Sequence, residues 1–254
     1  MNSVTISVII PTCDRPKFLP EAIGSIHEQT LQPVEIIVAN NGKESIPEGS
    51  LGEDVKVLNL EPYIGVSAAR NEGAKTAKGD YLAFLDDDDK WDNEFLLQLT
   101  SKLTSENADC AVGDIYTFTE HSAPQKARSL ATHLSNLRNR MLYRNPGFGG
   151  GNFLVKRAAF KAVGGFDPQV NMREDQVLGV ELLMADYIIT AEPLAIYYAR
   201  LDSTSRLSAI DVKNNFQFYK ACKKYMTLPQ KVRHLWWYGK LLRKAKKKRS
   251  LRTS

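Results

Sequence analysis

Three stretches in the first third of the chain, VTISVII (residues 4–10), VEIIVA (34–39) and YLAFL (81–85), are apolar at almost every position. A strand with one wet face alternates apolar and polar residues. A run without that alternation needs cover on both faces, as a central strand of a parallel sheet has. Pro11 ends the first run, Asn40, Asn41 and Gly42 close the second, and Gly79-Asp80 turns the chain into the third. Between them Phe18, Leu19, Ala22, Ile23 and Ile26 recur at helical spacing, residues 55–58 predict a shorter strand, and the alanine-rich 67–77 predicts a helix. This alternation predicts an α/β fold with a doubly wound sheet, where ligands bind beyond the carboxyl ends of the strands.

The rest is less regular. Strands are expected at 111–118, 152–155 and 187–199. Helices are expected at 129–143, from Arg157, at 175–184, at 211–225 and at 230–248, the last two separated near Pro229. Nothing among the 254 residues repeats internally.

Composition narrows the class. No apolar run approaches the roughly 18–20 residues of a spanning helix. No basic region leads into an apolar stretch and a cleavage site, so secretion is not expected. Cys13, Cys110 and Cys222 are widely spaced and form no CxxC pair, so neither a disulfide framework nor a zinc site is suggested. A cytoplasmic location is the expectation. The net charge of +5 comes from the end of the chain, where Lys240, Arg243, Lys244, Lys246, Lys247, Lys248, Arg249 and Arg252 have no acidic neighbour. Without these eight the 34 basic residues fall to 26, against 29 acidic ones. An acidic body argues against nucleic acid as a partner. The basic end is interleaved with Leu235, Trp236, Trp237, Tyr238, Leu241 and Leu242. That pattern suits either a peripheral helix on the inner face of the cell membrane or a helix packed on the body with a charged tail.

The sharpest chemical signal is Asp86-Asp87-Asp88-Asp89, directly after YLAFL and before Lys90-Trp91. Four adjacent carboxylates repel one another, and a cation relieves that repulsion. Hard divalent ions such as Mg²⁺ or Mn²⁺ accept one or two carboxylates together with substrate phosphates. A calcium loop of the EF-hand type is excluded, because Trp91 and Leu97 stand where glycine and glutamate are required. The histidines at 27, 121, 133 and 234 have no metal spacing. Gly147-Phe148-Gly149-Gly150-Gly151 follows no early strand and lacks GKS or GKT, so it predicts a flexible loop whose glycines permit close backbone approach, not a phosphate loop.

These motifs together resemble the family 2 glycosyltransferases of GT-A fold, over about residues 4–205. VIIPTCDRP matches that family's opening strand and nucleotide loop, and EIIVANNG its second strand end. IGVSAARNEGAKTAKGDYLAFLDDDDKW matches its central block, and GGNFLVKRAAFKAVGGFD with REDQVL its acceptor-side region. The resemblance implies a Rossmann-like, mostly parallel sheet with flanking helices and a C-terminal helical extension. It also implies a nucleotide-sugar half over about 1–115, an acceptor half over about 116–205, and terminal helices with a basic tail over 206–254.

The implied activity is inverting transfer of a sugar from a nucleotide-diphospho-sugar, UDP favoured, to a hydroxyl of a glycan or lipid-linked acceptor. Bacterial surface polysaccharide assembly is the implied setting. Asp88 would coordinate the divalent metal, Mn²⁺ or Mg²⁺, with Asp86 or Asp87 supporting metal or ribose. Pro11, Thr12, Arg15, Asn41 and Arg70 would meet the nucleotide, although Arg70 also suits a surface position on its helix. Asp175 would be the general base, with Glu174 on the acceptor side; acids at a helix start are also common for dipole reasons.

The chain departs from the family pattern in three places. Asn40-Asn41 replaces an acidic pair, and an uncharged Asn41 leaves dTDP or GDP open beside UDP. Cys13 replaces an aromatic residue. A late metal-binding histidine is missing, and Asp202 or water would take its place. Two other classes remain as alternatives: a Mg²⁺-dependent phosphatase or phosphotransferase, in which Lys90 stands where threonine or valine is usual, and a non-catalytic nucleotide-sugar-binding module.

Overall fold

The computed structural model describes residues 4–170, 172–201 and 212–250. The first half alternates as expected: β1 (Ile6–Thr12), α1 (Leu19–His27), β2 (Glu35–Asn40), β3 (Val55–Asn59), α2 (Val66–Thr76) and β4 (Tyr81–Phe84). There follow β5 (Lys90–Trp91), α3 (Phe95–Ser105), β6 (Cys110–Thr119), β7 (Ser122–Arg128), α4 (Leu137–Met141), β8 (Phe153–Lys156), α5 (Arg157–Ala162), α6 (Glu174–Met184), β9 (Ile189–Arg200), α7 (Val212–Cys222) and α8 (Leu228–Ser250).

One mixed sheet runs in the order β3-β2-β1-β4-β8-β6-β9-β5, with β7 on β6. β1, β2, β3 and β4 are mutually parallel, β8 opposes β4 and β6, β9 lies parallel to β6, and β5 and β7 are antiparallel. Six strands therefore point one way and three the other. The two-sided burial expected of β1 is visible residue by residue. Ile6, Val8 and Ile10 enter the core on one face, and Ile9 enters the core on the other. Each such fully buried side chain contributes about 1.5–3 kcal/mol. Phe84 of β4 meets Phe153 at 5.5 Å, Phe160 at 5.4 Å and Phe166 edge-on at 5.1 Å, an aromatic floor on the face that carries α2 and α6.

Several expectations need correction. The helix expected at 129–143 is a 3₁₀ segment, Ala131–Asn136, followed by the short α4. Ser129, Thr132, Ser135 and Asn136 are residues whose side chains compete for backbone groups and favour turns over long helices. The Phe95–Ser105 helix was not anticipated, although Phe95, Leu96, Leu99 and Leu103 bury one face at helical spacing. The short β5 and the fully exposed β7 carry no apolar pattern by which to find them. Pro229 stands in the first turn of α8, where a missing N–H costs nothing. Among the described residues, no helix is long and apolar enough to cross a membrane.

Candidate active site

The parallel strands end along one edge, and the expected residues gather there. Thr12, the last residue of β1, donates from its hydroxyl to Asp87 Oδ2 at 2.6 Å. Pro11, immediately before it, is buried in the same strand, paired with Ala39 of β2. Asn41 follows β2; its amide nitrogen donates to the Thr12 carbonyl at 2.9 Å, so its side-chain oxygen is the acceptor left for a ligand. Asn40 is turned away, donating to Asn59 and to the Glu44 carbonyl.

The carboxylate run after β4 is divided among three arginines. Arg15 of the β1–α1 loop pairs with Asp87 and, at 2.8 Å, with Asp88. Arg70 of α2 bonds Asp86 at 2.5 Å. Arg200, at the end of β9, donates its backbone N–H to Asp89 at 2.7 Å and its Nε to the Asp88 carbonyl at 3.0 Å. Tyr197 also donates its hydroxyl to Asp89. Asp89 is thus a structural member of the run. Burial first, then the charges of Asp86 and Asp88, push its pKa well up, and the tyrosine bond opposes them. Burial also raises Asp87 to about 6, against the pull of Arg15 and Thr12.

Arg70 is only 2% exposed, which removes the surface reading of that residue. Its second nitrogen bonds Glu174 at 2.8 Å, so one guanidinium joins the end of β4 to the start of α6. Burial works against its charge, but Asp86 and Glu174 outweigh that and hold its pKa above the usual arginine value. The guanidinium sits 5.0 Å above the Phe166 ring, on the aromatic floor. Its Nε is buried without a hydrogen-bond partner among the described residues.

Glu174 and Asp175 open α6 immediately after Arg173, a non-glycine residue in the left-handed region at φ 65°. That conformation is held by bonds from Arg173 to Gln176 at 2.8 Å, to Asn215 at 3.2 Å and to the Tyr143 carbonyl at 3.4 Å. The same guanidinium lies 3.6 Å from the centre of the Phe218 ring. Gln176 in turn donates to the Met141 carbonyl of α4. Asp175 accepts the Gln176 N–H at 2.5 Å. Its pKa is pushed up to about 7, mainly by desolvation and then by the Glu174 charge, against the Gln176 bond and Arg70. A carboxyl with that pKa can take a proton near neutral pH.

The glycine run makes the close approaches expected of it. A Cβ on Gly150 would stand 2.5 Å from Arg70 Nη2, and one on Gly151 would stand 2.5 Å from the Tyr197 ring. Asn152 holds the run, accepting from Gly149 N at 2.7 Å and donating to the Gly147 carbonyl at 2.8 Å, while Trp91 Nε1 donates to the Gly151 carbonyl at 2.7 Å. Tyr197, Arg200, Arg173 and Asn152 were not picked out from the sequence. No sequence signal marks Arg200, whose guanidinium pairs with Glu21 and reaches the run only through the Asp88 carbonyl.

The donor set fits a hard divalent ion. Asp86 and Asp88 offer carboxylate oxygens at the strand edge, 30% and 8% exposed at their side chains. Among the described residues no cluster of three or more His, Cys, Asp or Glu could hold a metal by itself. An ion that takes one or two carboxylates and completes its shell with phosphate and water matches that supply. Asp202 lies outside the described residues. α8 packs through His234, which bonds the Leu142 carbonyl at 2.6 Å, and leaves Val232, Leu235, Trp236 and Trp237 at least half exposed.

Comparison with known proteins agrees with this architecture. The family described as Glycosyl transferase family 2 matches residues 7–164. An uncharacterized glycosyltransferase of Haemophilus influenzae is 29% identical over 188 residues, 70% of this chain and 62% of its own. Across several curated relatives the chain spans between 17% and 62% of their length. S. aureus TarS 1–349 in complex with UDP-GlcNAc superposes with a TM-score of 0.63 at 20% identity, over 87% of this chain and 65% of that one. GalNAc-T7 with UDP, GalNAc and Mn²⁺ gives 0.62 at 18% identity, over 87% and 48%. At such identities these likenesses establish the fold, which is GT-A.

Proposed function

Because this chain belongs to glycosyl transferase family 2, we propose that it is an inverting, metal-dependent transferase of sugar from a nucleotide-diphospho-sugar to an acceptor hydroxyl. The observation that carries the reading is Arg70, whose one guanidinium bonds both Asp86 of the carboxylate run and Glu174 beside Asp175. Donor-side and acceptor-side groups are thereby held one side chain apart. A UDP-sugar is the favoured donor, supported by the UDP-GlcNAc bound to TarS and the UDP bound to GalNAc-T7. Asn41, with its side-chain oxygen left as acceptor, suits the imide N–H of uracil.

In this mechanism Thr12, Arg15 and Asn41 line the nucleotide, and Asp86 and Asp88 would hold the cation. When bound, the metal neutralises charge growing on the leaving diphosphate. Asp175 takes the proton of the acceptor hydroxyl as its oxygen bonds the anomeric carbon. The carbon–oxygen bond to the diphosphate breaks on the opposite side, so the configuration inverts. Glu174, fixed by Arg70, orients the acceptor. Residues up to about 115 serve the donor and about 116–205 the acceptor.

The acceptor is a glycan or lipid-linked glycan of surface polysaccharide assembly. Contact of α8 with an anionic membrane accompanies it, since exposed tryptophans stand beside clustered cations. Loss of binding to phosphatidylglycerol vesicles on deleting residues 244–254 checks that contact, and unchanged binding removes it.

Thermal unfolding with UDP, dTDP, GDP and ADP, each with and without Mn²⁺, tests the donor reading. A ligand at 100 times its Kd adds about 2.7 kcal/mol. UDP with metal is expected to stabilise the wild type and not Asp88→Asn. No response to any of the four overturns the transferase reading.

A further inference from the structure

Beside the site, β7, the 3₁₀ segment and α4 enclose a cleft of about 300 Å³ lined by Arg128, His133, Arg140, Arg144, Asn145 and Pro146 among others, none of them acidic. Among the described residues the three guanidiniums have no ion-pair or hydrogen-bond partner of their own. Arg15, Arg70 and Arg200 at the site are, by contrast, each tied to a carboxylate. Three like charges lining one cleft with no acidic residue among them set up a positive potential that suits an anion.

The cleft is coupled to the reaction centre by direct bonds. Arg140 and Arg144 bracket Met141 and Tyr143, whose carbonyls accept from Gln176 and Arg173 on either side of Glu174-Asp175. On its other side Asn145 and Pro146 lead into the glycine run that touches Arg70, and Asn145 accepts the N–H of Gly147 at 2.9 Å. An anion in the cleft is therefore connected to the base through these bonds, and no residue of the Asp86–Asp89 run lines it. The nucleotide diphosphate, placed at that run, is not its occupant.

We propose that this cleft binds a phosphoryl group carried by the acceptor, so that the acceptor of this enzyme is a phosphate- or diphosphate-bearing glycan. The inference rests on the transferase reading above. All its strong cations are arginines, whose planar forks grip phosphate through paired bonds where lysine offers a point charge. The volume suits a diphosphate with the first part of what it carries and is too small for a long glycan.

The test titrates inorganic diphosphate and, separately, a glycerol-phosphate oligomer, in EDTA and at fixed ionic strength, against wild type and the Arg140→Gln/Arg144→Gln double variant. Both side chains are exposed, so the fold is expected to survive, and the UDP-with-Mn²⁺ response is recorded on the same samples. At least about tenfold weaker phosphoryl binding in the variant, with the UDP response unchanged, is expected. Preference for diphosphate points to a diphosphate ester, and preference for the oligomer to a phosphodiester polymer. Equal affinity in the two proteins, or no binding of either probe to wild type, overturns the cleft assignment while leaving the donor site standing. A UDP response absent from both proteins strikes the transferase reading instead.

Discussion

The two halves of the sheet bring their groups to the same edge by different means. β1, β2 and β4 run parallel, so Thr12, Asn41 and Asp86 arrive together simply by being at the strand ends. Glu174 and Asp175 arrive on a helix whose start is fixed by side chains: Arg173 in the left-handed region, Gln176 on Met141, and Arg70 reaching across from α2. Backbone ladders place the first set and a network of buried polar groups places the second. A ladder tolerates the loss of one side chain. A network in which each member satisfies another does not.

The contrast is tested most severely at Asp175. Asp175→Asn is expected to lower kcat by about 10²–10⁴-fold while the UDP-with-metal stabilisation survives, since the strand edge is built without it. In the wild type kcat/KM should rise with pH up to about 7, where Asp175 ionises, and level off above; the variant should lack that limb. Stability carries the opposite sign. The folded-state pKa is raised above the unfolded value, so the stability this carboxyl contributes at low pH is lost as pH rises through about 7. Asp175→Asn should therefore unfold at higher temperature than wild type at pH 8, with a smaller gain at pH 5. Nucleotide binding lost together with turnover would mean that the two halves are not separable.

Arg70→Met comes next. It strands Asp86 and Glu174 without their counter-charge, and breaking such a pair by removing one partner costs about 3–5 kcal/mol when fully buried. With Asp86 partly exposed the lower end, about 3 kcal/mol, is expected in urea unfolding. Arg15→Met should cost less, because the Arg15 side chain is 26% exposed against 2% for Arg70. Equal costs would show that Arg70 is no more a keystone than the loop arginine.

The same division governs what the sequence discloses. In β1 and β2 burial on both faces leaves an unbroken apolar run, and in β4 the run ends on carboxylates, so the sheet and its carboxylate-bearing edge are legible. REDQVL also falls where expected, at the start of α6. What the sequence does not disclose is how that start is held. Arg173 in a left-handed turn, Arg200 on the Asp88 carbonyl and Tyr197 on Asp89 are contacts between residues up to 112 positions apart, with no periodicity to reveal them. The long β9 was visible as a strand, but its terminal arginine as a partner of the carboxylate run was not.

The gentlest probe acts where the two halves touch. A Cβ on Gly150 would stand 2.5 Å from Arg70 Nη2 and 3.1 Å from its Cζ. The far end of an arginine usually yields cheaply, but this one is bonded on both sides, so moving it weakens either Asp86 or Glu174. Overpacking of this kind costs about 1–3 kcal/mol. Gly150→Ala is thus expected to destabilise less than Arg70→Met and to weaken UDP-with-metal binding more than it lowers kcat, because the added Cβ meets Nη2, the nitrogen that bonds Asp86, while Nη1 holds Glu174. Isothermal titration of UDP and Mn²⁺ beside steady-state kinetics reads both quantities. If kcat falls as far as the affinity for UDP, Arg70 transmits the strain to Glu174 as readily as to Asp86. The site then moves as one rigid unit, and the division between ladder and network stops short of the reaction centre.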